Sequence, residues 1–515
     1  MNITDYLSLN AEKYGDIEAV VCLETKDSIS SRSSISWERL NVLANQVANY
    51  LISNGINKND KVGMLIPNTI EWLPIYFGIL ICGAVVVPLN YFNSAEEISH
   101  CLKIADCKLV FVSEKLSEDI LNIIRLKFLD NIKCCSIISS VDFFDKKDSI
   151  FLTQPFLKPD INIYSSDNAA IYFSSGTTGK SKAILLSHGS LMAAAETELS
   201  HHKQIQDDKF LCVSPLFHTG AIIHWFGSLL VGGAIVILKN IDPTNIVKTI
   251  KTETITIAWL PVPQIQDILD LLDISIKKID KSDLASLRLM HSGAQQVPAL
   301  LIKRWLEHFP NMLYDTSYGL TETTGPGCIN LGLENIHKMG SIGKPDKFWS
   351  VRIVDEGGNE VPQGDKGEII LKGPGVMKEY YNDEDSTLEA KKGDWLYTGD
   401  IAYKDVDGFI YIVDRKKDVV ISGGENIYPV QIEKFLRTNP HVRDVAVLGI
   451  KNYRLGEVVA AVIEIEKGCD CSKQEIYNFC EQLPQYQRPR KIVFGTLIRN
   501  SNGKIDKKAL KNYFT

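Results

Sequence analysis

Apolar residues recur at a helical period after Ser36, with Leu40, Leu43, Ala44, Val47 and Leu51 on one face, and this spacing predicts an amphipathic helix that begins at Ser36. A second helix is predicted at Asp242-Pro243, a capping residue followed by proline at the first helical position. Between such segments lie short β-branched runs at Val85–Val87, Leu109–Val112, Ala169–Phe173, Ala234–Leu238, Ile255–Leu260 and Leu287–Met290, each read as a strand. Helices alternating with short apolar strands predict α/β architecture with a largely parallel sheet. Several strands end in Gly, Ser or Pro, as strands do when the loops after them carry a site. The longest apolar stretch, Ile75 to Leu89, is broken by Gly78 and Gly83 and is short for a membrane span. It is read as a buried helix turning into a buried strand.

The pattern changes near residue 350. Val351–Asp355, Gly367–Leu371 and Phe409–Val413 alternate with Gly and Asp turns, as antiparallel strands do. After Asp414-Arg415-Lys416-Lys417-Asp418 a further unit mixes strands at Val445–Leu448 and Val458–Ile465 with a helix opening on the capping box Ser472-x-x-Glu475. The domain boundary is placed in that charged segment, with residues 1–414 as one domain and 415–515 as the second. The segment from about 114 to 168 carries no interpretable motif.

A chain of 515 residues exceeds one compact core. Its formal charge of −7 supplies no basic field for a polyanion, which sets nucleic acid aside as a partner. The 11 cysteines form no CxxC pair and have no matching His spacing, so they read as reduced thiols in a cytoplasmic protein rather than as a disulfide frame or zinc site. The first residues, MNITDYLSLNAEKYGD, lack the pattern of a secretory signal.

The chemistry begins in Ser174-Ser-Gly-Thr-Thr-Gly-Lys-Ser-Lys182, directly after a predicted strand. It contains Gly-Lys-Ser, yet a P-loop also needs glycine five positions earlier, where this chain has Ser174. Hydroxyls, glycine amides and lysine still suit a polyphosphate. Five further stretches follow in order: Pro215-Leu-Phe-His218; Tyr318-Gly-Leu-Thr-Glu322; Tyr397-Thr-Gly-Asp400; Asp414 to Asp418 with Ser422-Gly-Gly424; and Gly503-Lys504-Ile505. Taken singly, each has a plainer reading: a surface turn, a core tyrosine or histidine, or a solvated lysine.

In this order and spacing the six stretches, from about Asn68 to Leu510, resemble the adenylate-forming superfamily of acyl-CoA synthetases, luciferases and adenylation domains. The resemblance implies a large N-terminal domain of stacked α/β subdomains with a β-rich subdomain, and a small mobile α+β C-terminal domain. It also implies that a carboxylic acid is activated by ATP to an acyl-adenylate, pyrophosphate leaves, and the acyl group passes to the thiol of coenzyme A. By this resemblance Ser174, Gly176, Thr177, Thr178 and Lys182 hold the pyrophosphate half of ATP. Gly293, Ala294, Tyr318 and Gly319 lie beside the adenine, Thr321 meets the α-phosphate, and Glu322 holds Mg2+. Asp400 and Arg415 meet the ribose, Lys504 bridges carboxylate and α-phosphate, and His218 gates the acyl pocket. Lys417 is the hinge about which the small domain exchanges Lys504 for the loop at Gly423 and Gly424.

The chain departs from the family pattern at Ser181 and Ala183, at His291 to Gln296, at Gln431 and at Ile498. None of these removes a group that does chemistry. The acid pocket is expected among Phe217–Gly227, Ser292–Val297 and Ser317–Pro326, with Ile223, His224 and Trp225 as linings. No aspartate lies between Leu211 and Leu230, which favours an aliphatic or aryl acid over an α-amino acid. Three alternatives stay open: a stand-alone enzyme loading an acyl or peptidyl carrier protein, a non-catalytic nucleotide sensor, and a luciferase-like oxygenation.

Overall fold

The computed structural model describes residues 1–26, 29–113, 116, 133–137, 149, 151–175, 181–273, 284–293, 297–310, 312–466, 468–499 and 504–514. The chain forms two compact units, Met1–Ser350 with Lys372–Leu396, and Val351–Leu371 with Tyr397–Thr515.

In the larger unit the predicted helix at Ser36 runs from Trp37 to Ser53, and the Ser36 side chain accepts the Arg39 amide. Asp242 caps Pro243–Glu253 in the same way. The stretch from Ile75 to Leu89 is the buried end of helix Trp72–Ile81 followed by buried strand Val85–Pro88. One sheet has nine strands, and its central six are parallel: Glu18–Lys26, Ala234–Leu238, Lys209–Cys212, Ile257–Trp259, Leu289–Ser292 and Leu313–Gly319. The predicted strand at Leu287 starts later, at Leu289, because the Leu287 amide closes a turn onto Leu284 O.

The second sheet has seven strands and is parallel from Asn168–Ser175 through Val85–Pro88, Lys61–Leu65 and Cys107–Ser113 to Lys133–Ile137. Alternate side chains of the first sheet face opposite ways, as strand geometry requires. Leu211, Val236, Ala258 and Met290 pack with the helices Pro243–Glu253, Val262–Asp273 and Ala299–His308. Phe210, Ile235, Ile257 and Leu289 instead join one core with Val62, Val86 and Tyr172 of the second sheet and with the helices Trp37–Ser53, Trp72–Ile81, His188–His202 and Thr219–Val231. A shared helix layer thus fills the space between the two sheets, which explains why Trp72–Ile81 is apolar all round.

In the smaller unit the strand Trp395–Lys404, from Tyr397 on, pairs antiparallel with Ile410–Arg415. A second sheet joins Glu425–Ile427, Val420–Ser422, Gly456–Ile465 and Val442–Asn452, with Lys491–Phe494 parallel to Gly456–Ile465. Its apolar face buries Val445, Val447, Ala461 and Ile463 against Ile432 and Leu436 of helix Pro429–Leu436 and Ile476 of helix Lys473–Phe479. The predicted box at Ser472 and Glu475 is formed. Among the described residues no helix is long and apolar enough to cross a membrane.

Candidate active site

The loop expected to bind phosphate joins two antiparallel strands, Asn168–Ser175 and Ser181–Ser187, with Ser174 opposite Lys182. Gly176, Thr177 and Thr178 lie outside the described residues, as does Ala294. The hairpin is extended by Glu379–Tyr380, where Tyr380 pairs with Ile184. This brings the Tyr380 hydroxyl to Glu322, which accepts from it at 2.9 Å and from the Ser174 hydroxyl at 3.4 Å. The Lys182 ammonium lies 4.7 Å from the centre of the Tyr380 ring and donates to Ser386 Oγ at 2.9 Å. Ser174 and Tyr380 therefore share the Glu322 carboxylate, and Lys182 lies over the Tyr380 ring. Burial and the Glu322 carboxylate push the Tyr380 phenol well above its ordinary range.

Glu322 is held by backbone geometry. It sits in the single turn Thr321–Thr323 after strand Leu313–Gly319. The Thr323 hydroxyl accepts the Leu320 amide at 2.8 Å. A side chain on Gly319 would meet Gly325 O at 2.5 Å, so the turn requires glycine there. Tyr318 and Thr321, on either side of this glycine, are both partly exposed.

The side expected to hold the acid lies at the carboxyl ends of the parallel strands, where open α/β sheets bind ligands. Register sets Cys212, Trp259, His291 and Asp315 in one row across four neighbouring strands. Gly293 follows this row, and Gly220 lies in the first turn of helix Thr219–Val231, which begins after His218. A side chain on Gly293 would lie 3.6 Å from Ser317 O and 3.9 Å from Trp259 Nε1, and one on Gly220 would lie 3.9 Å from Trp259 Cζ2. The His218 ring lies 4.5 Å from that of Phe217. Trp225, expected as a lining residue, is fully buried elsewhere: it stacks on Trp37 and donates to Gly233 O at 3.1 Å. Its position on the helix turns it toward the apolar core.

Beside the row, helices His188–His202 and Thr219–Val231 bury a charged network. His202 lies 2.9 Å from Glu198 through Nδ1 and 2.9 Å from Asp315 through Nε2. His224 Nδ1 meets Glu198 at 2.7 Å, and His291 Nε2 lies 2.9 Å from Ser317 Oγ and 3.4 Å from Asp315. Burial alone would neutralise these groups. For Glu198 the neighbouring His224 and His202 outweigh it and hold the carboxyl far below its usual range. Glu198 and Asp315 likewise outweigh burial at His202 and lift it to about 10. His291, with burial and cationic neighbours acting together, is driven well below its ordinary value.

In the smaller unit Asp400 stands opposite Arg415 in the strand pair, 3.3 Å from its Nε, and is buried while Arg415 is exposed. Lys417 is exposed in the turn Lys416–Asp418. Gly424 follows with φ 89°, a left-handed conformation that suits glycine. Lys504 is exposed, and beyond it the Arg499–Ile505 bridge and the Asp506 amide to Ile498 O at 2.8 Å tie the chain back. Three residues on, the Lys507 ammonium is 2.9 Å from Glu433. Burial raises the Asp414 carboxyl to about 6, partly offset by Lys507 and by the amides of Val430 and Arg415.

Sequence reasoning missed Tyr380, Trp259 and the partners Glu198, His202 and Asp315. A Tyr-Tyr pair at 380–381 and a His-His pair at 201–202 were the available signals, but neither names its partner.

Two mainly parallel sheets with hydroxyls, a lysine and a carboxylate gathered beyond their strands, followed by a smaller unit that exposes Lys417 and Lys504, define the class of adenylate-forming enzymes. The chain belongs to the AMP-binding enzyme family: residues 7–381 match that family and residues 431–504 match the AMP-binding enzyme C-terminal domain. It is 30% identical over 483 residues to a long-chain-fatty-acid–CoA ligase, FadD13, of Mycobacterium tuberculosis, covering 93% of each chain. It is 31% identical to a 2-succinylbenzoate–CoA ligase of Bacillus mycoides, again covering 93% of each. Among solved structures it is similar to the anthranilate CoA ligase AuaEII in complex with anthranoyl-AMP, at TM-score 0.87 and 25% identity over 100% of this chain and 97% of that one. ATP-bound MatB from Rhodopseudomonas palustris aligns at TM-score 0.88 and 26% identity, covering 100% and 99%.

Proposed function

We infer that the protein is an ATP-dependent acid–thiol ligase that converts a small carboxylic acid to an acyl-adenylate with release of pyrophosphate, then transfers the acyl group to the thiol of coenzyme A. The observation that carries this reading is the Glu322 carboxylate shared by Ser174 and Tyr380, with Lys182 over the Tyr380 ring, in a chain that matches the family along most of its length. The acid is ionised at neutral pH and needs no base to attack the α-phosphate. The chain's contribution is therefore position and charge. Lys182 and the hydroxyls of its hairpin offset charge on the departing pyrophosphate. Thr321 meets the α-phosphate, Tyr318 lies along the adenine beside Gly293, Ala294 and Gly319, and Asp400 with Arg415 receives the ribose.

Glu322, already an acceptor for two hydroxyls, is an oxygen donor of the kind Mg2+ takes. When bound, the ion supplies charge neutralisation at the phosphates. Lys504 stabilises charge as the new bond forms, His218 gates the acid, and residues 415–515 swing about Lys417 to bring the loop at Gly424 in place of Lys504. The cysteine pattern supports a cytoplasmic location.

The test is to incubate the purified protein with ATP, Mg2+, coenzyme A and a pool of fatty, aryl and short-chain acids, and to read products by mass spectrometry. An acyl-CoA mass supports the ligase. AMP-linked acid without acyl-CoA moves the acceptor to a carrier protein, and absence of acid-dependent pyrophosphate release overturns the reading.

A further inference from the structure

The chain that carries Lys504 runs on through Lys507 to Leu510, and the smaller unit holds this segment from two sides. Asp506 caps the short helix Lys507–Leu510 by accepting the Ala509 amide at 2.9 Å. Leu510 is buried with Ala446, Leu448, Val462 and Leu497. Side chains alternate along a strand, so Val445 and Val447 point the other way, and they pack with helix Pro429–Leu436. The Lys504 segment and that helix therefore lie on opposite faces of one sheet.

Lys507 joins them around the edge of the sheet. Among the described residues the strand Val442–Asn452 pairs only with Gly456–Ile465, and a strand at an edge has amides with no partner in the sheet. Glu433 Oε1 accepts one of these, the Val447 amide, at 2.8 Å, and the same oxygen lies 2.9 Å from the Lys507 ammonium. Glu433 is buried and Lys507 half-buried, which shields the pair from the solvent screening that weakens exposed ion pairs. Two further acids act on the amine. Burial would lower Lys507, and Glu433, Asp414 and Asp418 outweigh it. Asp414 and Asp418 flank the Arg415–Lys417 segment, and Asp414 also accepts the Val430 amide of the helix at 2.9 Å. One lysine thus ties the segment after Lys504 to the helix and to the turn read as the hinge.

We propose that Lys507 is a positioning residue for adenylation: its ion pair with Glu433 fixes the segment that follows Lys504, and so fixes where the Lys504 ammonium stands as the acid is activated. This inference rests on the ligase reading and adds a residue to it. Stabilising charge on a forming bond depends steeply on position, and a misplacement of about 1 Å costs on the order of 10²-fold in rate. In that reading the second half-reaction uses the loop at Gly424 in place of Lys504, so it is indifferent to Lys507.

The experiment measures the two half-reactions separately in the full-length protein: acid-dependent pyrophosphate release with the best acid of the pool, and coenzyme A capture of that acid's supplied adenylate. Lys507→Met keeps the length of the side chain and removes its charge. Glu433→Gln removes the other charge while its amide oxygen still accepts the Val447 amide. Each is expected to lower the kcat of pyrophosphate release by about tenfold to 10²-fold, with the KM values for ATP and acid unchanged. Coenzyme A capture stays at the native rate. The double variant falls no further than the more severe single one, because both remove the same interaction. An unchanged kcat in a folded Lys507→Met protein overturns the proposal, as does equal loss of both half-reactions. Failure of both single variants to fold overturns it too, since the pair would then hold the unit together rather than aim Lys504. No pyrophosphate release by the native protein with any acid removes the ligase reading and this inference with it.

Discussion

Each unit buries a small ionic cluster, and the two are built from opposite chemistry. The larger unit sets the imidazole of His202 between two carboxylates, Glu198 and Asp315, with 2.9 Å contacts on both sides. The smaller unit sets the amine of Lys507 against Glu433 at 2.9 Å, with Asp414 nearby. In the first, His224 also meets Glu198, and His201 and His291 also face Asp315, and both carboxylates are held ionised. In the second, one lysine serves two acids and Asp414 is left under-compensated, so burial prevails and lifts it to about 6. Charge matching, rather than depth of burial, decides whether a buried acid titrates near neutrality.

The strongest way to break the contrast is to remove a partner. Glu198→Ala leaves His202 half paired and His224 without its carboxylate, and should cost the larger unit about 3–5 kcal/mol. Chemical unfolding followed by hydrogen exchange should show this loss in helix His188–His202, with strand Val442–Asn452 of the smaller unit unaffected. Equal loosening of both would refute separate clusters.

Next in size is Lys504→Ala, which alters an exposed cation rather than a buried one. Acid-dependent pyrophosphate release should fall on the order of 10²–10³-fold, while coenzyme A capture of a supplied acyl-adenylate persists. Parallel loss of both half-reactions would contradict the assigned role.

The pH dependences should also separate. Asp414 is raised from 3.8 to about 6 in the fold, so its contribution to stability is present below pH 4 and is lost as pH rises to 6, by roughly 3 kcal/mol. Val430 N–H, Arg415 N–H, Lys507, Glu433 and Tyr428 are the groups around it. Exchange of helix Pro429–Leu436 should loosen over that window in the native protein and not in Asp414→Asn. His202, raised from 6.5 to about 10, gives stability that is complete below pH 6.5 and lost toward pH 10, while Glu198 and Asp315, both lowered, add stability that is lost in acid. The larger unit should therefore weaken at both extremes. A single shared pH profile would refute the distinction.

The smallest effect is expected from Tyr380→Phe. It removes one hydrogen bond to Glu322 but keeps the ring under Lys182, and should cost about 1 kcal/mol, read as a several-fold rise in the ATP KM with the acid KM unchanged.

Local features were legible in the amino-acid order because their causes are local. Caps at Ser36, Asp242 and Ser472 act within three residues, strands show as short apolar runs, and the six chemical stretches kept their order. Pairing lengths were less legible. Val442–Asn452 exceeds the predicted Val445–Leu448, because a strand beside Gly456–Ile465 is held by backbone bonds that continue past its apolar centre.

The chain alone determined an α/β protein with an ATP-type site, since those signals lie within a few residues of one another. Which histidine meets which carboxylate was decided only in three dimensions. Glu198 and Asp315 are far apart in the chain, and they share His202 because parallel strands with long crossovers set distant residues in one row against a single helix. The same register put Trp259 opposite His291, a pairing across neighbouring strands that no short motif describes.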